Sequence, residues 1–479
     1  MLRRSAEDDT WGRMTSFRAL LWLILAGTLA RILFGWGIGL GVDESYMVVA
    51  GRGPLRLGYF DHPLLSWWMS NLAARLAGTE AAVIVRLPFV ALFAVSTWLM
   101  FRVGVEIAGP RCGLWAAIAF NLAPVMGITS GGWVLPDGPL VAALLGAVFC
   151  ALRALPGRGF GWWLGFGVCA GLAMLSKYTA VLPLAGFAAF LVADRSYRMW
   201  LARPQPYAAL ALALLVFSPV VIWNAGNGWA SLAFQGGRAS ASQLNLLGPV
   251  VTLAGEAVFL LPWIWAGLML VLWRGLRASD ARVRLLCWMA MPAIVLFAVV
   301  SLWSRQVLFH WATPGYLMLF PLLGAFLADR PWAPLVARAT AALLAVAMLL
   351  VVSEIRLPWA PLPAEATLSI RDWSALRPAV LATGLPVAAV SWSDAGKAGI
   401  GLGPDFSIFC LNVDAREFRF STHPPVAGDV VIVAPRRTLA SMRQTYIGAF
   451  RSIEALPPVR VGGVDIPLFV GRGLKRWPS

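Results

Sequence analysis

The sequence predicts a polytopic α-helical membrane protein that ends in a small α/β domain. Of its 479 residues, 59% are hydrophobic and only 13% are charged, whereas soluble domains average about 25% charged residues. Long apolar runs recur up to about residue 353, and none follows it. We therefore expect residues 1–353 to form a transmembrane domain and residues 354–479 to form a separate domain.

About eleven apolar segments are long enough to cross a bilayer as helices, which requires about 20 residues each. Arginine marks alternate breaks between them, from Arg102 and Arg111 to Arg330. Cytoplasmic loops carry this excess of positive charge, so we expect a cytoplasmic N-terminus and, after an odd number of spans, an extracytoplasmic C-terminal domain. The segments lie near residues 18–40, 82–103, 112–130, 137–155, 160–176, 179–194, 207–224, 249–273, 285–303, 312–328 and 334–353.

Charge and cysteine usage limit the class of protein further. The net charge is +16, but the arginines sit in short breaks and form no basic stripe with interleaved aromatic residues. We therefore expect no nucleic-acid partner. Arginines ahead of the first apolar run predict a retained signal anchor rather than a removable signal peptide. The five cysteines show no zinc-binding spacing, and four lie in or beside apolar runs, where cysteine behaves as a small hydrophobe.

The first predicted outer loop, residues 41–81, is too polar to span the membrane. Asp43–Ala50 is predicted to form a short helix. Pro63–Leu76 carries apolar residues at helical spacing and predicts an amphipathic helix. Helices of this kind lie in the plane of the membrane interface, so the loop is predicted to form a platform above the bundle.

The C-terminal part reads as a small α/β fold. Two strands are predicted, at Pro386–Trp392 and Asp429–Val433, with a helix at Arg437–Phe450. Val459–Val470 predicts a hairpin that turns at Gly462-Gly463. A GxGxG run at residues 399–403 lacks the strand–turn–helix context of a nucleotide site, so we expect no nucleotide there.

Ionisable side chains gather at the segment ends on the predicted outer side. A charge in or beside hydrocarbon is costly and is therefore usually functional. This one-sided set predicts an active site at a membrane surface. Its members are Asp43, Glu44, Asp61, His62, Asp137, Lys177, Arg305 and His310.

An Asp-Glu pair and an Asp-His pair in the first loop are the strongest local signal. The Asp43-Glu44 and Asp61-His62 pairs suit a general base or a divalent metal. The alternative for Asp43 is a helix N-cap, and for Asp61 a turn residue. Alternatives exist for the basic groups as well, since Lys177 can snorkel from a span end and Arg305 can pair with lipid headgroups.

The spacing of these pairs resembles that of the bacterial glycosyltransferase family 39, which comprises polyprenyl-phosphate-sugar-dependent enzymes of the GT-C fold. These enzymes are similar to protein O-mannosyltransferases and to the lipid A aminoarabinose transferase. Two departures are Leu64, where the family often has proline, and His310-Trp311-Ala312, where the family often has Asn-Trp-Pro. The matching motifs are Asp43-Glu44-x-Tyr46, Gly58-Tyr59-Phe60-Asp61-His62-Pro63, Leu135 to Leu140, Gly171 to Tyr178, and Ser304-Arg305 to His310-Trp311 with Tyr316.

The resemblance implies a mechanism. A sugar on a polyprenyl phosphate would pass, with inversion, to an envelope lipid, glycan or protein outside the cytoplasm of a bacterial inner membrane. Asp43 would act as the base, with Glu44 and Asp137 completing the catalytic set, and Lys177 and Arg305 would stabilise the leaving phosphate. Asp43 and Asp137 are also the expected ligands if a divalent metal takes part; no other cofactor is expected. The remaining substrate-binding residues implied are Tyr46, Tyr59, Asp61, His62, Tyr178 and His310.

A rival function is a multispan transporter or a flippase for lipid-linked sugars. Transporters place ionisable groups near the middle of the membrane, at the interface of structural repeats. This chain shows no internal repeat, and its ionisable groups lie at one predicted interface. The pattern therefore favours an enzyme.

Overall fold

The computed structural model describes residues 6–238, 243–304 and 308–477. In these ranges it is mainly helical, with one sheet near the C-terminal end. The helices are α1 Ala6–Gly37, α2 Val42–Ala50, α3 Leu65–Ala77, α4 Ala82–Ala108, α5 Pro110–Leu122, α6 Asp137–Ala154, α7 Phe160–Ser176, α8 Val181–Ala193, α9 Pro204–Gly226, α10 Ala230–Gly237, α11 Gly248–Leu260, α12 Pro262–Gly275, α13 Ala281–Val300, α14 Thr313–Leu317, α15 Phe320–Ala328, α16 Ala333–Arg356, α17 Ala364–Ile370, α18 Leu376–Leu381, α19 Trp392–Leu402, α20 Phe418–Ser421 and α21 Leu439–Thr445.

The predicted helical membrane architecture is confirmed. Within the described residues, six helices are long and apolar enough to cross a membrane: most of α1, together with α4, α6, α9, α13 and α16. A seventh span results if α11 and α12 are taken together, although the chain bends by 113° between them. Leu261 adopts a φ of 72° at this bend, and Pro262 follows it. The remaining predicted spans coincide with shorter helices, so the count of eleven stays a prediction.

The residues group into two compact units. The first runs up to Ile32 and also contains Leu57–Ser66 and Phe89–Ala347. The second contains Leu33–Arg56, Trp67–Pro88 and the chain from Met348 onward. The second unit therefore includes parts of the first loop as well as the C-terminal residues, and a functional boundary at residue 353 stays a prediction.

The first unit is a helical bundle with a continuous apolar core. Arg31 lies on α1, within the apolar run, and points into this bundle. Its guanidinium donates to the carbonyls of Gly127 (2.6 Å) and Gly27 (2.8 Å) and to Oδ1 of Asn121 (3.1 Å), and it lies over the ring of Phe93. The charge inside the apolar segment is thus satisfied by polar groups of its own helix and of neighbouring segments, as buried polar groups require.

The second unit contains a five-stranded sheet in the order β2-β1-β3-β5-β4. Strands β2, β1 and β3 are parallel, and β3, β5 and β4 are antiparallel. The predicted hairpin is confirmed, since Val461 pairs with Val464 across the Gly462-Gly463 turn. The strands are β1 Val387–Ala389, β2 Ile408–Cys410, β3 Val430–Val433, β4 Ser452–Val461 and β5 Val464–Arg472.

Two predicted elements of this unit are shorter than expected. In both cases a side-chain cap sets the residue at which a helix begins. The strand predicted to reach Trp392 ends at Ala389, since Ser391 caps α19 by accepting from the backbone N–H of Asp394. Helix α21 begins at Leu439, after Thr438 provides its cap. In the first loop, α2 and α3 form where they were predicted.

Candidate active site

A buried ion pair joins two helix ends in the first unit. Asp137 is the first residue of α6, and Lys177 follows the last residue of α7 in an extended conformation. The Lys177 ammonium donates to both carboxylate oxygens of Asp137, at 2.9 and 3.1 Å. The two side chains are only 9% and 6% exposed. The fold therefore brings together two predicted site residues that lie 40 positions apart.

This pairing gives Lys177 a carboxylate partner that the sequence near it does not show. Asp137 balances the charge of the ammonium, and stabilisation of the leaving phosphate by Lys177 stays a prediction. An ammonium has three N–H donors, and among the described residues its contacts are with the two oxygens of Asp137, so a third donor can be offered to a ligand. Asp137 thereby fixes where that donor points.

Two histidines lie near the pair, and an arginine lies near one of them. His62 and His310 lie close enough to Asp137 to interact with it electrostatically. Burial, reinforced by the nearby Lys177 ammonium, lowers the pKa of His310 to about 4, so this imidazole is neutral at neutral pH. Arg238 also acts on His310 and lies 4.6 Å from the ring centroid of Trp311. Sequence reasoning missed Arg238, although it falls in a predicted outer break.

Helix α10 supports the residues of the first-loop motif. Gln235 donates to the backbone carbonyl of Asp61, and the ring of Phe234 packs 4.7 Å from that of Phe60. The hydroxyl groups of Tyr178 and Ser231 are 2.7 Å apart. The motif is thus anchored by a short helix, Ala230–Gly237, that sequence reasoning did not connect with it.

Burial separates the motif residues into two groups. Tyr59 and Asp61 are each only 2% exposed, whereas His62 and Tyr178 are half-buried. Gly58 lies against Trp223, where an added Cβ would come within 2.8 Å of the indole. Glycine at this position therefore permits the close approach of the motif to α9.

In the second unit, Asp43 and Glu44 occupy the first turn of α2 and differ in environment. Asp43 is exposed, and Glu44 is 3% exposed. The Glu44 carboxylate accepts from the backbone N–H of Gly41 at 2.9 Å, which caps the helix. The capping role considered for Asp43 therefore belongs to Glu44, and the Asp43 carboxylate lies on the exposed face of the turn.

Arg86 holds the segment that leads into α2. Its guanidinium binds both Glu44 oxygens, at 2.8 and 2.5 Å. It also donates to the carbonyls of Gly35, Ile38 and Gly39 at 2.9–3.1 Å. A guanidinium provides five such donors in a rigid fork. Glu44 thus has a structural role in the start of α2, and a direct catalytic role for it stays a prediction.

Tyr46 is also engaged in the packing of the second unit. It is 2% exposed, and its hydroxyl accepts from the backbone N–H of Glu417 at 2.9 Å. Its ring lies 5.5 Å from that of Trp67 and 5.1 Å from that of Trp392. Binding of substrate by Tyr46 stays a prediction.

The remaining predicted site features concern Arg305 and a metal. Arg305 lies outside the described residues. Among the residues that the structure does describe, no group of three His, Cys, Asp or Glu side chains is arranged to hold a metal ion. The Lys177 ammonium already balances the charge of Asp137, which disfavours a divalent cation at this carboxylate.

Comparison with known proteins identifies the fold. The structure of ArnT from Cupriavidus metallidurans bound to undecaprenyl phosphate superposes with a TM-score of 0.69, covering 94% of this chain and 97% of that one at 15% identity. The archaeal oligosaccharyltransferase AglB from Archaeoglobus fulgidus superposes with a TM-score of 0.53, covering 90% and 70% at 11% identity. The chain has the GT-C glycosyltransferase fold. The GT-C fold that the sequence resemblance implies is thereby confirmed.

Sequence relatives of this GT-C chain agree with that result. A family model described as dolichyl-phosphate-mannose-protein mannosyltransferase matches residues 61–223. The lipid A galacturonosyltransferase RgtD of Rhizobium johnstonii is 23% identical over 55% of each chain. An undecaprenyl phosphate-alpha-4-amino-4-deoxy-L-arabinose arabinosyl transferase of Sodalis glossinidius is 30% identical over 57% of this chain and 50% of its own length. The chain spans about half the length of the curated relatives it matches.

Proposed function

We propose that this protein is an integral membrane glycosyltransferase. It moves a sugar from a polyprenyl-phosphate donor to an envelope acceptor, with lipid A as the first candidate, on the extracytoplasmic face of a bacterial inner membrane. The observation that carries the proposal is the buried Lys177 ammonium, which Asp137 orients at the end of α7. The likeness to ArnT with undecaprenyl phosphate and the names of both curated relatives support the choice of substrates.

The reaction is a single displacement at the anomeric carbon. Asp43 takes the proton of the acceptor hydroxyl as the hydroxyl oxygen bonds to that carbon. The bond from the carbon to the phosphate oxygen breaks, and its electron pair stays on the phosphate. Because attack and departure occur on opposite faces, the configuration inverts. The exposed position of Asp43 in the first turn of α2 suits a base that meets an incoming acceptor.

Charge stabilisation of the leaving phosphate is the second requirement. A phosphate ester departs as an anion and needs cationic donors more than it needs a proton. We propose that Lys177 and Arg305 supply them, with Arg238 as an additional cation. His310 is neutral at neutral pH, so it offers a hydrogen bond without adding charge. Asp137 keeps the ammonium in place and prevents it from forming competing contacts.

The proposal also covers the number of membrane spans and their orientation. We propose eleven spans, counting α5, α7, α8 and the α14–α15 pair along with the longer helices. We further propose a cytoplasmic N-terminus and an extracytoplasmic sheet. The alternating arginine-rich breaks support this orientation.

The test is mass spectrometry of lipid A and of other envelope lipids from a strain that lacks the protein. We expect one glycosyl unit to disappear and to return when the wild-type chain is supplied, but not when Asp43→Asn is supplied. A flippase would instead supply donor to other enzymes and would transfer nothing when purified. An unchanged set of envelope lipids, glycans and glycoproteins would contradict the proposal.

A further inference from the structure

Lysine is rare in this chain, and its placement is selective. Of the 39 lysines and arginines, only three are lysines: Lys177, Lys397 and Lys475. Lys177 and Lys397 are 7% and 6% exposed, although lysine is almost never buried without a partner. Lys177 belongs to the site described above. Lys397 lies on α19, in the second unit, and no motif of the site includes it.

Lys397 reaches the residue that precedes the cap of α2. Its ammonium donates to the backbone carbonyl of Leu40 at 3.1 Å. Glu44 and Arg86 are close enough to act on its charge, as is Asp372. Burial lowers the pKa of Lys397 to about 8. Three charged side chains, Lys397, Glu44 and Arg86, therefore surround the N-terminal end of the helix that carries Asp43.

Helix α19 is also packed closely against α2. An added Cβ on Gly396 would come within 2.6 Å of the backbone nitrogen of Tyr46, and one on Gly399 within 2.5 Å of Val49. Arg52, just beyond α2, donates to the carbonyl of Gly399 at 2.9 Å. Gly399, part of the run considered for nucleotide binding, thus serves a helix–helix contact that fixes α2 along its length.

Burying an ammonium costs free energy that a hydrogen bond to one carbonyl offsets only in part. An apolar side chain would pack at this position without that cost, so the ammonium indicates a requirement for a specific contact. We propose that Lys397 is a positioning residue: with α19, it fixes the start of α2 and thereby the place of Asp43. This inference rests on the proposed function of Asp43 and extends it to the C-terminal part of the chain.

The first test measures position without using activity. Hydrogen exchange of the purified full-length protein is followed by mass spectrometry in Lys397→Met and in the matched control Lys475→Met, which makes the same change at an exposed lysine. We expect the amides of α2 to exchange roughly tenfold faster in Lys397→Met and at the wild-type rate in the control. Unchanged exchange of α2 in Lys397→Met would overturn the inference, whatever the reaction proves to be.

The second test measures transfer to purified lipid A. The donors are undecaprenyl-phosphate galacturonic acid and undecaprenyl-phosphate 4-amino-4-deoxy-arabinose, tested in parallel. Because a displacement of about 1 Å in a catalytic group can lower a rate about 100-fold, we expect Lys397→Met to lower kcat roughly 10- to 100-fold with the donor KM unchanged. Lys397→Arg, which keeps a donor for Leu40, should recover part of kcat.

A stability control separates positioning from general damage. Met442 is 1% exposed in the core beside the sheet and does not belong to α19. Met442→Ala should lower the melting temperature at least as much as Lys397→Met does, yet keep kcat. Equal loss of kcat in both variants would overturn the inference. If the wild-type protein transfers neither sugar, the proposed function fails in this assay, and the exchange experiment still decides the role of Lys397.

Discussion

The contribution of the Asp137–Lys177 pair to stability can be measured separately from its contribution to activity. Its two contacts of 2.9 and 3.1 Å and its side-chain exposures of 9% and 6% place it among buried ion pairs. Exposed pairs contribute about 0–1 kcal/mol. Removing one partner of a buried pair costs about 3–5 kcal/mol, because a charge is left uncompensated. We therefore expect Asp137→Leu and Lys177→Met each to destabilise the protein on that scale.

The double variant Asp137→Leu/Lys177→Met tests whether the loss of pairing causes the destabilisation of the single variants. Replacing a whole buried pair by apolar side chains is often neutral, so Asp137→Leu/Lys177→Met should recover most of the stability lost by either single change. The free energy of unfolding is measured by titration with sodium dodecyl sulfate in mixed micelles. Additive losses in the double variant would refute the reasoning.

Among these three variants, glycosyl transfer should not parallel stability. The double variant lacks the ammonium that we assign to the leaving phosphate, so it should fold well and still transfer poorly. Loss of one such stabilising group lowers turnover by about 10²- to 10³-fold. A double variant with both wild-type stability and wild-type transfer would show that the pair has only a structural role.

Three further predictions concern metal, topology and pH. Because the Lys177 ammonium already balances the charge of Asp137, transfer should persist in EDTA; a loss that Mg²⁺ or Mn²⁺ restores would contradict this. Cysteines placed at the exposed positions Thr79 and Ile447 should react with impermeant maleimide from outside the cytoplasm, and labelling only after the membrane is opened would reverse the topology. Unfolded His310 takes up a proton below about pH 6.5, whereas folded His310 does so only near its pKa of about 4. Wild-type stability should therefore fall between pH 6.5 and 4 more steeply than that of His310→Gln, and parallel melting curves would refute this.

Local patterns allowed much of the fold to be predicted. Helices α2 and α3 and the hairpin at Gly462-Gly463 depend on periodicity and turn residues that lie within a few positions of each other. The bend at Leu261 was not predicted, since the apolar run from 249 to 273 continues through it. Proline at 262 was the available signal, because it has no N–H to continue the helix.

The site was predicted as a set of residues but not as a set of contacts. Position at the ends of apolar segments was enough to select Asp137, Lys177 and His310. Their pairing depends on how α6 and α7 meet, which no local pattern reports. Glu44 was selected as catalytic, yet its partner Arg86 lies 42 positions away. For Lys397, the rarity of lysine was a signal in the sequence. Its positioning role could be inferred only from the contact with Leu40 in the structure.

The most direct test of the central claim is transfer by the purified protein in nanodiscs. The two undecaprenyl-phosphate sugars named above are supplied with lipid A, and products are identified by mass spectrometry. The account predicts transfer of one sugar with inverted anomeric configuration. It also predicts that Asp43→Asn folds normally and is slower by about 10²- to 10⁴-fold, the usual contribution of a general base. Transfer by Asp43→Asn at the wild-type rate, or a product that retains the donor configuration, would contradict it.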